Sequence, residues 1–405
     1  MKSLDASFFV LNRERAMEKL QGGLLVAAGY TGMQRGNDAE FKFEQEANFW
    51  YLTGLEFPDW WIIMDAKRGK SWLVEPDIDE KQRLFQESLL SKDAKRASGI
   101  TDVLTRDAAM TMLRTAAKSH QLVYTIGLPQ YHDHFGFTLN PAPHDMVQML
   151  SRVFTKVQDF RLELARLRAI KQPIEIEMIQ AAIDITVKAI SDIKTKLTTY
   201  KYEYEIEADL SHAFRATGGS GHAFDPIVAG GANATVVHYF TNNSPLKKGN
   251  FVMMDVGARF QGYAADITRT YAFGKPTKRM IAVHESLQSA QRQIIALLQP
   301  GLPVEDYQNQ SDIIVKKAML DLHIISSMDD EEEFRRRYPH AVSHGLGIDV
   351  HDALGRPRTF ESGMVVTVEP GIYLPDEGIG VRIEDDILIT DTGHKNLSAK
   401  LSSDL

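Results

Sequence analysis

Residues 250–273 read NFVMMDVGARFQGYAADITRTYAF, two apolar runs that each enclose a carboxylate. Gln261-Gly262 separates residues 250–260 from 263–273, and a glycine there suits a tight two-residue hairpin. If Phe260 pairs with Tyr263, Asp255 falls opposite Thr268 and Asp266 opposite Gly257. The two carboxylates then share one face as diagonal neighbours, with Cβ atoms about 7 Å apart. Gly257 is expected to leave room beside Asp266. Two carboxylates facing each other among apolar residues are costly, because neither is solvated and each opposes ionisation of the other. A cation must therefore meet this hairpin. Arg259 and Arg269 in the same strands can supply it, and so can a bound ion; the hairpin by itself leaves both open.

Three further clusters favour the ion. HAVSHGLGIDVHD (340–352) brings together His340, His344 and His351, followed by Asp352. Gly345 and Gly347 argue against a helix presenting His340 and His344 as a zincin pair. Extended or turn geometry is expected instead, so the three histidines need not share a role. The buried-looking run MVVTVE (364–369) ends on Glu369, and GVRIEDDILIT (380–390) carries Glu384, Asp385 and Asp386 in its middle. Acids in four apolar strands point to one shared positive charge. With no cysteine in the chain, the donors are oxygen and imidazole, which suit Mn²⁺, Co²⁺, Zn²⁺ or Fe²⁺.

At 405 residues the chain exceeds one hydrophobic core, and two domains are expected, 1–158 and 159–405. The first alternates strand-like runs (23–28, 60–65, 71–75) with helical stretches (79–90, 106–119), an α/β pattern. A turn-rich GFTLNPAPH (136–144) precedes the change of character. From Arg161 apolar residues recur at helical spacing, and Pro173 divides a short arm from a long amphipathic helix. Strand-like runs follow at 235–240, 250–260, 263–273, 364–369 and 380–390, around helical blocks at 279–298 and after Pro303. Helix-then-strands occurs twice, which suggests an internal duplication.

Composition narrows the function classes. Hydrophobic residues at 43% and charged residues at 25% are globular values, not those of a disordered chain. The apolar run 8–11 is too short for a signal-peptide core, and no stretch is long enough to span a membrane. A net charge of −8 and the absence of a long basic block argue against a nucleic-acid partner. The cysteine-free chain fits a reducing cytoplasm. Acids at 329–333 followed by arginines at 335–337 read as a self-compensating surface loop or helix start. The glycines at 218–221 and 230–231 lack the lysine of a phosphate loop and read as turns. Trp60-Trp61 reads as core, and Ser220 and Ser343 lack a nucleophile elbow.

Taken in order, MDVGARFQGYAADITRTY (254–271), HAVSHGLGIDVHD (340–352), TVEPGIYL (367–374) and GIGVRIEDDILIT (378–390) closely resemble the pita-bread metallopeptidases. The resemblance is to the aminopeptidase P and prolidase branch. EANFWYLTG (46–54) resembles a segment of that branch's amino-terminal domain, so the resemblance covers nearly the whole chain. It implies an α/β N-terminal domain followed by an α+β pita-bread catalytic domain. It further implies Asp255, Asp266, His344, Glu369 and Glu384 as ligands of two divalent ions, most simply Mn²⁺, with Asp266 and Glu384 bridging. His238 and His351 would contact the substrate around the scissile carbonyl, and His340 and Arg382 would help form a proline pocket near Tyr373.

The implied activity is hydrolysis of the bond between an N-terminal residue and proline. Two ions would acidify a water, Glu369 would act as general base then acid, and His351 would help stabilise the oxyanion. Substrates would be peptides with proline second, with no nucleic-acid or membrane partner, and the chain would form a homo-oligomer, a dimer or tetramer. A strict Xaa-Pro dipeptidase (prolidase) stays open: the short connection from Glu369 to Glu384 leaves little covering loop, but Arg356 and Arg358 are placed to meet a terminal carboxylate. Methionine aminopeptidase fits the VSHGLGIDVHD segment and the large N-terminal half less well. A creatinase-like enzyme or a non-catalytic binding module would have lost ligands that are intact here.

Overall fold

The computed structural model describes residues 4–85, 87–127 and 138–405, so Gln86 and the start of the turn-rich stretch at Gly136-Phe137 lie outside the described residues. The chain divides into two compact units, Met1–Leu167 and Arg168–Leu405.

The first unit is built on six strands: β1 (Leu24–Ala28), β2 (Trp61–Asp65), β3 (Lys70–Val74), β4 (Val103–Leu104), β5 (Leu122–Thr125) and β6 (Lys156–Asp159). Their order is β4-β3-β2-β1-β5-β6. The β1–β2 and β2–β3 pairs are antiparallel; β1–β5, β3–β4 and β5–β6 are parallel. Every residue of β1 is buried, as its unbroken apolar run requires. Leu24, Val26 and Ile63 join Ala109 and Leu113 of the helix Arg106–Ala116 and Met146 and Leu150 of the helix Ala142–Ser151 in one core. Trp60 is buried, whereas Trp61 is partly open and lies 3.6 Å beneath the Arg106 guanidinium. The helical stretch expected at 79–90 is shorter, Glu80–Phe85, and a separate helix runs Ser91–Ser98.

In the second unit, Pro173 opens the long helix Pro173–Thr195, where its missing N–H costs nothing. Its strands are β7 (Gly221–His222), β8 (Ile227–Gly230), β9 (Asn250–Val256), β10 (Ala258–Phe260), β11 (Tyr263–Ala264), β12 (Ile267–Phe273), β13 (Val365–Val368), β14 (Gly371–Leu374), β15 (Ile379–Arg382), β16 (Asp385–Ile389) and β17 (His394–Asn396). They form the sheets β11-β10-β7, β12-β9-β8, β13-β16-β17 and β14-β15. Val366, Val368 and Val381 pack with Val283, Leu287 and Ile294 of the helix Lys278–Leu297 and with Tyr307 and Val315 of the helix Val304–Asp321. The acidic run starts the helix Glu331–Arg337, where Glu331–Arg335 and Glu333–Arg337 pair one turn apart at 2.9 and 2.5 Å. Among the described residues no helix is long and apolar enough to cross a membrane.

Two interrupted hairpins organise this unit. In the first, Phe260 pairs with Tyr263 and Asp255 with Thr268, the register expected from the sequence. Gln261 and Gly262 have φ of 45° and 83°, as a type I′ turn needs. The ladder breaks at Gly257 and Asp266 and resumes in the same register. The reason for glycine differs from the expected one: a Cβ on Gly257 would lie 1.7 Å from the Ala265 carbonyl oxygen, so the close neighbour is backbone rather than Asp266. In the second hairpin, β13 pairs β16 and β14 pairs β15 in one continuous register, broken where Glu369 faces Glu384. The single strand expected at 380–390 is thus two. Each break turns a carboxylate out of the ladder toward the space between the hairpins.

Candidate metal centre

The two hairpins meet through Glu384. Its amide donates to the Thr268 carbonyl at 3.1 Å, and Thr268 Oγ1 donates to Glu384 Oε2 at 2.7 Å. Asp266, His344 and Glu384 each turn one ligand atom to within 4.8 Å of the others. His344 Nε2 lies 3.5 Å from Asp266 Oδ2 and 3.4 Å from Glu369 Oε1. His344 Nδ1 is occupied by the Gly345 carbonyl at 2.9 Å, which leaves Nε2 facing the acids. His340 and His344 are not on a helix; both lie on irregular backbone, as the glycines implied.

Compensation by Arg259 and Arg269 does not occur. Arg259 donates to the Ile348 carbonyl at 2.8 Å, and Arg269 pairs with Asp385 at 2.7 Å. Arg382 instead pairs with Asp255 Oδ2 at 2.6 Å. Its other nitrogens reach Tyr373 Oη at 2.7 Å and Thr268 Oγ1 at 3.3 Å, and Tyr373 Oη meets His340 Nε2 at 2.8 Å. The Arg382 guanidinium thus pairs with Asp255, and its charge favours ionisation of Asp266 and Glu369 as well. Asp255 Oδ1 is buried with no hydrogen-bond partner among the described residues.

This imbalance is written into the acidities. Burial, reinforced by Asp255, Asp386 and Glu369, holds the Asp266 carboxyl well above its usual range. Burial and then Asp266 do the same to Glu384, and burial pushes Glu369 up to about 7. Burial, then Arg382, drives His340 down to about 3, so it is neutral at pH 7. A cluster of carboxylate oxygens and one imidazole nitrogen, with an orphaned Asp255 oxygen, fits divalent cations of the Mn²⁺ to Zn²⁺ class.

A stability test follows. Each raised carboxyl holds its proton more tightly folded than unfolded, so its contribution is full below the unfolded value and is lost as pH rises through the folded one. For Glu369 that window runs from the usual 4.5 to about 7. A cation removes the cost of ionisation. The Tm difference between metal-loaded and chelator-treated protein is therefore expected to widen across that window in differential scanning calorimetry. A pH-independent difference would place the cation elsewhere.

The remaining residues sit as follows. The rings of His344 and His351 are 4.1 Å apart at 34°. His238 is exposed, its ring stacked on Phe240 at 5.7 Å, and its nearness is a minor cause of the lowered His340 and His351 values, after burial. The strand expected at 235–240 does not form. A 3-10 turn, Gly231–Thr235, leads into irregular backbone because buried Glu203 collects Gly230 N, Asn233 Nδ2, Tyr239 Oη and Ser244 N at 2.7–2.9 Å. Asp386 was not singled out as a site residue from sequence. Its Oδ2 accepts the Asp266 amide at 3.2 Å, and the EDD triplet was the available signal.

Known proteins match this sequence and fold along the whole chain. A profile of metallopeptidase family M24 matches residues 177–391, and one of the aminopeptidase P N-terminal domain matches residues 9–124. Xaa-Pro aminopeptidase of Haemophilus influenzae is 31% identical, over 100% of this chain and 97% of its own length. The chain belongs to metallopeptidase family M24. Among solved structures, the low-pH form of Escherichia coli aminopeptidase P superposes with a TM-score of 0.87 at 26% identity, covering 100% of this chain and 97% of that one. Proline aminopeptidase P II from Yersinia pestis gives 0.84 at 29%, covering 99% and 98%. The M24 fold is thus the pita-bread fold of the aminopeptidase P family, with an aminopeptidase P-type N-terminal domain in front of it.

Proposed function

We infer that the chain is an Xaa-Pro aminopeptidase that hydrolyses, with divalent metal, the bond between an N-terminal residue and proline. The convergence of Asp266, His344 and Glu384 within 4.8 Å carries this reading, with the similarity to Xaa-Pro aminopeptidases along the full chain. In this proposal Asp255, Asp266, His344, Glu369 and Glu384 hold two ions. When bound, such ions acidify a water and polarise the scissile carbonyl. Mn²⁺ as working metal is supported by the oxygen-rich donor set; a cytoplasmic location is supported by the cysteine-free sequence, and self-association by resemblance alone.

The residues then divide the work. Glu369 takes a proton from the attacking water and returns it to the proline nitrogen, which needs one because a tertiary amide leaves as a secondary amine. His351 and His238 hydrogen-bond around the carbonyl. His340 and Tyr373 flank the proline ring. Arg382, 1% exposed, backs that pocket by orienting Asp255 and Tyr373.

Substrate length follows from the second hairpin. The connection from Glu369 to Glu384 is only β14, a 3-10 turn at Pro375–Glu377 with Gly378 at φ 63°, and β15. Nothing in it forms a lid beyond the proline. An Xaa-Pro dipeptide, its amide and an Xaa-Pro-Ala tripeptide are expected to show kcat/KM values within about tenfold of one another. A penalty above about a hundredfold (roughly 3 kcal/mol) for amidation or extension would make the enzyme a dipeptidase instead.

A further inference from the structure

The second unit holds another buried charge cluster, and the chemistry above does not use it. Asp352 directly follows His351, and its side chain is 1% exposed. Its Oδ1 accepts from Arg168 Nη2 at 2.5 Å and its Oδ2 from Lys171 Nζ at 2.9 Å. The two cations are themselves 3% and 1% exposed. Arg168 also reaches the half-exposed Asp349 at 2.8 Å, and Lys171 donates to the Arg168 carbonyl at 2.7 Å.

The cluster grips a loop. Asp352 N donates to the Gly345 carbonyl at 2.8 Å, closing 345–352 on itself. A Cβ on Gly347 would lie 2.1 Å from Asp352 Oδ2, and one on Gly345 would lie 2.3 Å from the Asp352 carbonyl oxygen. The loop is drawn so tightly around this carboxylate that no side chain fits at either glycine. His344 stands at one end and His351 at the other, their rings 4.1 Å apart. A buried ion pair is a poor way to gain stability, since apolar side chains of similar volume do as well or better. What two cations at fixed angles add is direction.

We propose that Asp352, held between Arg168 and Lys171, is a positioning residue that sets the His351 imidazole against the scissile carbonyl. The proposal rests on the role given to His351 above. It is tested by a double-mutant cycle. Asp352→Asn keeps the side chain's shape and removes its charge. In the otherwise wild-type enzyme it is expected to lower kcat by at least about tenfold with little change in KM. In a His351→Ala background the same change is expected to cost less than about twofold, because the group it acts through is gone. Metal content and Tm are measured on each variant. If Asp352→Asn does not fold, Lys171→Met, which leaves Arg168 on Asp352, takes its place in the cycle. Equal losses in both backgrounds, or a folded variant with unchanged kcat, overturn the positioning role while leaving the peptidase reading intact. A metal-loaded wild type inactive on Xaa-Pro peptides, or a His351→Ala enzyme with full kcat, overturns the reading beneath it.

Discussion

Glu384→Gln is expected to lower kcat for Xaa-Pro hydrolysis by more than about 10³-fold, beyond the 10²–10³ that loss of one oxyanion donor costs. Glu384 is 2% exposed and stands at the break between β15 and β16, opposite Glu369. In the proposed arrangement Glu384 would be shared by two ions, so its loss would weaken both sites together. The amide can still accept from Thr268, so the hairpin junction is kept. The Tm of the metal-free protein is not expected to fall, since the change removes a carboxyl that burial and Asp266 already disfavour as an anion. Added Mn²⁺, however, should no longer raise it. Elemental analysis and calorimetry check both halves. Full metal occupancy with wild-type activity would remove Glu384 from the centre.

His351→Ala is expected to cost about 10²- to 10³-fold in kcat, with metal content unchanged. Its ring packs beside that of His344 and is not part of the Asp266, His344 and Glu384 group, so truncation would remove the proposed donor and spare the proposed ligands. Steady-state kinetics on a tripeptide separates the outcomes. A loss confined to KM would place His351 in ground-state binding, and a fall in bound metal would make it a ligand.

Much of this was legible from local pattern. Strand alternation and the turn signal at Gln261-Gly262 determine the register that sets Asp255 against Thr268, because ladder pairing and side-chain alternation are local and periodic. Acids in apolar strands and a histidine run beside glycines pointed to a cation site, and the family resemblance supplied the set Asp255, Asp266, His344, Glu369 and Glu384. Local pattern misled where a strand-like run had its hydrogen bonds drawn off by a distant side chain. Residues 235–240 look extended, but Glu203 gathers the donors of the flanking backbone and bends it.

Sequence by itself determined the chemistry available, oxygen and imidazole donors without sulfur, and the hairpin register, for these depend on residue type and on a turn of two residues. Tertiary structure alone decided which charge meets which. Asp255 takes its cation from Arg382, 127 positions away, rather than from Arg259 or Arg269 in its own hairpin. Asp352 takes its partners from 184 and 181 positions away. A buried ion pair gains most when its partners also share charge-assisted hydrogen bonds, which need heavy-atom contact at about 2.7–2.9 Å. Its identity is therefore set by distance in the fold, which spacing along the chain does not encode.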